Sequence, residues 1–226
     1  MIAFALASAS PSRLRILDQA GVDPLVRHPR VDEDALLAGL PEGTPHVRVV
    51  EELARAKAAD VLEREGASLA DEARAAGADT LALVGCDSML LVDGQLEGKP
   101  HTYERAMERW TRLRGRHGVL LTGHALAVAD VSGGGAPAVV HRGADTSDTT
   151  VHFGAPSDAD LDVYLRTGEP LECAGAFTIE SLGGWFIDRI DGDPSSVIGL
   201  SLPLLRRLLS DAGLHAHDVW RRELLG

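Results

Sequence analysis

An α/β fold built round a mixed sheet is what this sequence predicts, on three observations. Short apolar runs of strand length alternate with helical patterns along most of the 226 residues. Residues 46–65 repeat apolar side chains at steps of three and four, the period of a helix packed on a core. Asp93-Gly94, between two β-like runs, is a strong signal for a tight hairpin.

Residues 2–7 read as a first strand, ending in Ser8-Ala9-Ser10-Pro11-Ser12-Arg13. Ser10 suits a helix N-cap and Pro11 the first helical position, and Leu14, Ile16, Leu17 and Ala20 form the pattern that Gly21 closes. A polar stretch from Arg30 to Pro45 follows, with Asp32, Glu33 and Asp34. The helix from His46 to Glu65 places Val47, Val50, Leu53, Ala54, Ala58 and Val61 on one face. Residues 66–79, rich in Ala and charge, read as a surface connection with room for a short helix. Leu81–Val92 is the next strand, and Lys99-Pro100 closes the second arm of its hairpin. A helix spans Tyr103–Leu113 and stops at Gly115. Strands are expected over Val119–Ala129, Ala138–His141 and Thr149–Phe153, then a helix from Ser157 to about Arg166. Two more strands, Ala176–Ile179 and Trp185–Ile190, flank Gly183-Gly184, and an amphipathic helix runs from Pro203 to about Leu214. There is no internal repeat.

The length fits one large domain or two small lobes. A net charge of −12 and a pI near 5.1 repel a nucleic-acid backbone, so a general DNA- or RNA-binding role is disfavoured. A small anionic substrate remains compatible, since a few basic side chains or a metal reverse the sign locally. Cys86 and Cys173 are too few for a disulfide framework or a Cys-rich zinc site, and read as small core residues. No uncharged apolar run is long enough to span a membrane. The apolar start lacks the basic flank of a signal peptide, which leaves a cytoplasmic protein as the expectation.

Three places break their local pattern. Asp87 is the only charge between Asp79 and Asp93 in an apolar strand, where a carboxylate needs a partner, a metal or a proton. Lys57 falls inside the apolar stripe of its helix, so its ammonium either snorkels out or serves inside, for instance on a phosphate. Ser8 to Arg13 gathers hydroxyls, a guanidinium and backbone amides at a helix start, an arrangement suited to an anion. Lys99 is a further candidate, with a solvated hairpin lysine as the alternative. There is no P-loop, no dinucleotide glycine fingerprint and no zinc helix. His215-Ala216-His217-Asp218 lies in a polar stretch and is discounted as a metal site. Trp110, Trp185 and Trp220 read as packing residues rather than a base-stacking platform.

Taken in order, these pieces resemble the Maf family of house-cleaning nucleotide pyrophosphatases, from Leu6 to about Leu209. Leu6-Ala7-Ser8-Ala9-Ser10-Pro11-Ser12-Arg13 is similar to the family's Ser-x-Ser-Pro-Arg-Arg loop. Val31-Asp32-Glu33 resembles its acidic segment, and Leu53-Ala54-Arg55-Ala56-Lys57-Ala58 its Leu-Ala-x-x-Lys-Ala helix. Val84-Gly85-Cys86-Asp87-Ser88 sits where the family has Gly-Ala-Asp-Thr. Gly98-Lys99-Pro100, Thr122-Gly123, Ala174-Gly175-Ala176-Phe177 and Val197-Ile198-Gly199-Leu200 follow in register.

The resemblance implies an α/β fold with a mixed sheet and flanking helices, two lobes around a central cleft within a single domain of residues 1–226, often as a homodimer. It implies hydrolysis of a nucleoside triphosphate to the monophosphate and pyrophosphate. Asp87 would be the catalytic carboxylate, either activating water or positioning it through the metal. Ser8, Ser10, Arg13, Lys57 and Lys99 would line the triphosphate, and Glu33 would join Asp87 in holding Mg²⁺ or Mn²⁺. The chain departs from the family's dTTP- and UTP-hydrolysing branch at Ser12, Ser88 and Glu180, positions that bear on the base. Around Cys173 and Glu180 it resembles a branch acting on 7-methyl-GTP. A silent nucleotide-binding regulator of cell division and a phosphohydrolase releasing orthophosphate are the rival readings.

Overall fold

A computed structural model describes residues 1–224; the end of the 1–226 domain expected from the sequence lies outside the described residues. Seven strands, β1 (Ile2–Ala7), β2 (Leu25–Arg27), β3 (Thr80–Val92), β4 (Gln95–Glu97), β5 (His117–Asp130), β6 (Ala138–Phe153) and β7 (Ile187–Asp191), form one sheet. Its order is β2-β1-β3-β5-β6-β7, with β4 paired to β3 alone. β1 runs parallel to β2 and β3, while β4 on β3 and β7 on β6 are antiparallel. The sheet is therefore mixed, as expected. The helices are α1 (Pro11–Gln19), α2 (Glu33–Gly39), α3 (His46–Ala75), α4 (Tyr103–Leu113), α5 (Asp158–Arg166), α6 (Pro194–Ile198) and α7 (Leu202–Asp211).

The chain divides into two compact units. The first holds Met1–Asp87, Gly123–Thr146 and the residues from Leu202 onward; the second holds Ser88–Thr122 and Ser147–Ser201.

In the first unit, α3 lies on the sheet with Val50, Leu53, Ala54, Ala58 and Val61 buried. Two glycines let its backbone come unusually close. A Cβ at Gly85 would lie 2.6 Å from the Ala54 carbonyl oxygen, and one at Gly123 would lie 2.2 Å from that of Val50. At Gly123 only backbone atoms would have to yield, so Gly123→Ala is expected to lower stability by about 3 kcal/mol, the upper range for overpacking. Urea unfolding checks this, and an unchanged midpoint would contradict the close approach.

In the second unit, Trp110 of α4 is fully buried. Its ring meets Phe153, Tyr164 and Phe186 edge to face, with centroids 5.5, 6.3 and 6.0 Å away. Its indole N–H donates to the Ala176 carbonyl at 2.7 Å, so the one polar atom of the ring is satisfied.

Several expectations need correction. Residues 66–75 continue α3 rather than forming a connection. Leu69, Ala70 and Ala73 extend the buried stripe past Gly66, whose missing side chain leaves room for the Pro137 ring, 3.2 Å from where a Cβ would stand. Within the polar stretch 30–45, Asp32 caps α2 by accepting from the Ala35 N–H. The segments expected as separate strands at 138–141 and 149–153 are the two ends of β6. Its middle is polar because much of it faces solvent, which hid the continuity.

No strand forms over Ala176–Ile179. Gly175 and Ala176 take φ of 77° and 61°, which turns the chain out of an extended path. Val47 and Leu14, placed on buried faces from periodicity, are 43% and 38% exposed. Trp185, expected to pack, is 86% exposed, and Trp220 is 44% exposed. Trp185 lies in a 3₁₀ turn, Leu182–Phe186, where the three-residue period stacks it with Leu182 on the outer side.

Candidate active site

Local sequence preferences build one end of the first unit. Parallel pairing sets Ala7, at the edge where β1 stops, beside Gly85 of β3, which runs on to Val92. From that edge the chain enters α1, with Ser10 as N-cap accepting from the Arg13 N–H and Pro11 at the first helical turn. Ser8 is buried and its hydroxyl oxygen accepts two hydrogen bonds, from the Ser10 N–H and from Arg13 Nη1, each at 3.1 Å. Ser8, Ser10 and Arg13 thus lie together at the start of α1, with Arg13 itself only 9% exposed.

Alternation along β3 puts Gly85 and Asp87 on the same side. The glycine admits the backbone of α3, and Lys57, one turn beyond Leu53, then reaches Asp87. Lys57 Nζ donates to Asp87 Oδ1 at 2.5 Å and lies 2.8 Å from Glu33 Oε1. Lys57 and Asp87 are 8% and 7% exposed, which removes both the snorkelling reading of the lysine and the solvated strand end. Glu33 approaches from the first turn of α2 with its side chain 48% exposed.

Burial pushes the Asp87 carboxyl above its ordinary value of 3.8, with the Glu33 charge adding to the effect. The Lys57 ammonium and the Arg13 guanidinium pull in the opposite direction without overcoming it. The outcome is a carboxylate that holds a proton more readily than a surface aspartate. Burial also pushes the neighbouring Cys86 thiol up to about 11, and that of Cys173 up to about 11, so neither is a thiolate near neutral pH.

The second unit carries the remaining predicted residues. Lys99 is exposed, with its ammonium 3.3 Å from Glu172 Oε2; His101 Nδ1 is 3.3 Å from the other oxygen of Glu172. Ser88 Oγ is 3.0 Å from Thr122 Oγ1, which donates to the Ser196 carbonyl at 3.1 Å. Glu180 is half-buried and its Oε2 accepts from the Ile179 N–H at 3.2 Å. Ser12, in the first unit, is half-buried in the first turn of α1. Ser8, Ser10, Arg13, Glu33, Lys57 and Asp87 are therefore brought together in one unit. The His215 backbone N–H donates to Asp218, and the rings of His215 and His217 stack.

The buried Arg109 and the half-buried Glu169 are among the groups that escaped the sequence reading. Arg109 of α4 lies between Ala106 and Leu113 in the apolar stripe and is paired with Glu97. It also donates to the Gly98 carbonyl at 2.6 Å, immediately before Lys99. Its position on an apolar face was the same signal that singled out Lys57. Glu169, within Gly168-Glu169-Pro170, gave no such signal because it sits in a turn.

Chemically, the first unit offers one carboxylate with a raised affinity for protons, two cations beside it and hydroxyls with backbone amides at a helix start. Such a set suits a polyanion undergoing attack by water. Asp87 and Glu33 are hard oxygen donors converging on one cation, Lys57. Among the described residues, no three His, Cys, Asp or Glu side chains gather to hold a metal alone. Two carboxylates fit Mg²⁺ or Mn²⁺ when substrate phosphates and water complete the coordination. No helix among the described residues is long and apolar enough to cross a membrane.

The sequence model of one family, described as Maf-like protein, matches residues 3–212. The chain is 55% identical over 223 residues to a nucleoside triphosphate pyrophosphatase of Rhodococcus opacus (strain B4), covering 97% of each chain. Proteins of the same description from Nocardia farcinica (strain IFM 10152) and Corynebacterium efficiens are 55% and 49% identical, covering 96% of this chain and 95% and 98% of theirs. Among solved structures, a nucleoside-triphosphatase / dITP/XTP pyrophosphatase from Mycobacterium abscessus overlaps 75% of this chain and 95% of its own. Its TM-score of 0.29 and 15% identity make it too distant to bear on the argument.

Proposed function

Since the chain belongs to the Maf-like protein family, we propose that it is a nucleoside triphosphate pyrophosphatase, hydrolysing its substrate to the monophosphate and pyrophosphate in a house-cleaning role. The observation that carries the proposal is the buried Asp87, bonded to Lys57 and within reach of the Arg13 charge, in a largely apolar strand.

In this reading water attacks the α-phosphorus. A bond forms from the water oxygen to that phosphorus, and the bond to the bridging oxygen breaks, so its electron pair leaves with pyrophosphate. The Asp87 carboxylate takes the proton from water, a role its raised proton affinity favours. Arg13, Ser8 and the amides at the start of α1 receive phosphate oxygens, and Lys57 offsets charge as it builds on them. Glu33 and Asp87 would hold Mg²⁺ or Mn²⁺, which supplies positive charge against the phosphate oxygens when bound. The family resemblance further gives Lys99 a phosphate-binding role and Ser12, Ser88 and Glu180 base-selecting roles. The cytoplasm is the proposed location, in keeping with two free cysteines.

The test is a screen of purified protein with Mg²⁺ or Mn²⁺ against common and modified nucleoside triphosphates, assaying pyrophosphate and orthophosphate separately. Pyrophosphate from one or a few nucleotides supports the proposal. Binding with no turnover would favour the silent regulator, and orthophosphate alone would favour a different phosphohydrolase.

Glu180→Gln is expected to shift base preference more than total turnover. An ionised glutamate only accepts hydrogen bonds, whereas glutamine also donates. The ratio of kcat/KM between two bases reads it, and an unchanged profile would remove Glu180 from the base-selecting set.

A further inference from the structure

We propose that Glu169 is a positioning residue for base selection, holding the loop from Thr178 to Gly183 in the one shape that presents Glu180. The inference rests on the pyrophosphatase reading and on the role given there to Glu180.

Glu169 opens a 3₁₀ turn, Glu169–Glu172, just after Gly168, whose φ of 76° reverses the chain. Its carboxylate collects four donors from a single loop. Oε1 accepts from Thr178 Oγ1 at 2.5 Å and from the Gly183 N–H at 3.1 Å. Oε2 accepts from Ser181 Oγ at 2.8 Å and from the Leu182 N–H at 3.3 Å. Four acceptances are about the capacity of one carboxylate.

The donors bracket Glu180, with Thr178 before it and Ser181, Leu182 and Gly183 after it. The loop also closes on itself. The Gly183 N–H donates to Thr178 Oγ1 at 3.2 Å, and a Cβ at Gly183 would stand 2.4 Å from the Tyr164 hydroxyl and 2.5 Å from the Thr178 carbonyl. The Glu180 carboxylate turns back on the Ile179 N–H, within the same loop. Burial pushes the Glu169 carboxyl up, but the hydrogen bonds from Thr178, Ser181, Gly183 and Leu182 outweigh it and hold the group below the ordinary carboxylate value. Glu169 is thus an anion whose whole hydrogen-bonding capacity is spent on shaping the backbone around another glutamate.

The alanine variant removes all four acceptances. Glutamine keeps one oxygen and turns an amide toward backbone donors that cannot rotate away, so it preserves shape without the full clamp. The experiment compares wild type, Glu169→Ala and Glu169→Gln with Mg²⁺ on a panel of nucleoside triphosphates, alongside amide hydrogen exchange at Leu182 and Gly183. The expected result for Glu169→Ala is a fall of about tenfold in the kcat/KM ratio between the best and second-best base. Turnover of the best substrate should drop less, and exchange at both amides should speed up. Glu169→Gln should fall between alanine and wild type.

Faster exchange with an unchanged base ratio would overturn the inference, leaving Glu169 a structural residue only. Unchanged exchange would overturn the clamp itself. Should Glu169→Ala fail to fold, the base ratio of Glu169→Gln decides. A wild-type protein that turns over no nucleotide would overturn the pyrophosphatase reading and this inference with it; turnover with unaltered selectivity in the variants would overturn the inference alone.

Discussion

Asp87→Asn is expected to lower kcat by about 10²- to 10⁴-fold, the range for loss of a positioned general base, while the fold is retained. The asparagine has nearly the same shape, and the Lys57 ammonium can still donate to its carbonyl oxygen. Glu33 remains as a second partner for the lysine. Circular dichroism and unfolding curves check the fold, and steady-state assays check the rate. Near-normal turnover would remove Asp87 from catalysis.

The wild-type pH profile tests the same group. In the proposed mechanism the carboxylate is the reactive form, so kcat/KM should fall as pH drops through the pKa of Asp87 in the folded protein. Because burial raises that pKa, the acid limb should lie above the ordinary 3.8. The stability effect has the opposite sign. A raised carboxyl pKa contributes stability below 3.8, and that contribution is lost as pH rises through the folded value. The asparagine variant, lacking this group, should lose that part of the pH dependence.

Lys57→Met is the second large effect. It leaves Asp87 buried and Glu33 beside it with no intervening cation. Removing one partner of a buried pair costs on the order of 3 kcal/mol at neutral pH, and the penalty should shrink in acid as Asp87 takes up a proton. Activity should fall by about 10²-fold or more, since the proposed mechanism loses the positive charge it sets against the phosphates. The double variant Lys57→Met/Asp87→Asn should be more stable than Lys57→Met alone, because the buried carboxylate that lost its lysine is gone. A single variant with wild-type activity would contradict the role of the pair.

Much of this arrangement was legible in the sequence because it follows from local rules. Ser10-Pro11 announces the start of α1, Asp93-Gly94 the hairpin, and the three–four spacing of Val50 to Val61 the buried face of α3. Asp87 and Lys57 stood out because each places a charge where the local pattern demands an apolar residue. That they are partners was not legible, since their contact joins residues 30 positions apart and depends on Gly85 and Gly123 admitting the α3 backbone.

Misreadings came where tertiary context overrides local preference. Gly66 ended the periodic pattern on paper, yet packing of Leu69 and Ala73 carries α3 onward. Residues 176–179 have strand-like composition, but the left-handed backbone at Gly175 and Ala176 prevents extension. Trp185 has the size of a core residue and lies outside the core because its short turn exposes it. Glu169 was invisible because a glutamate in a turn is ordinary until its four donors are located.

In the proposed reaction water attacks the α-phosphorus. The direct measurement is a reaction in ¹⁸O-labelled water with divalent metal and a nucleotide the enzyme accepts, followed by mass analysis of both products. One ¹⁸O in the nucleoside monophosphate and unlabelled pyrophosphate are expected. Label in pyrophosphate, or release of labelled orthophosphate with a nucleoside diphosphate, would contradict attack at the α-phosphorus.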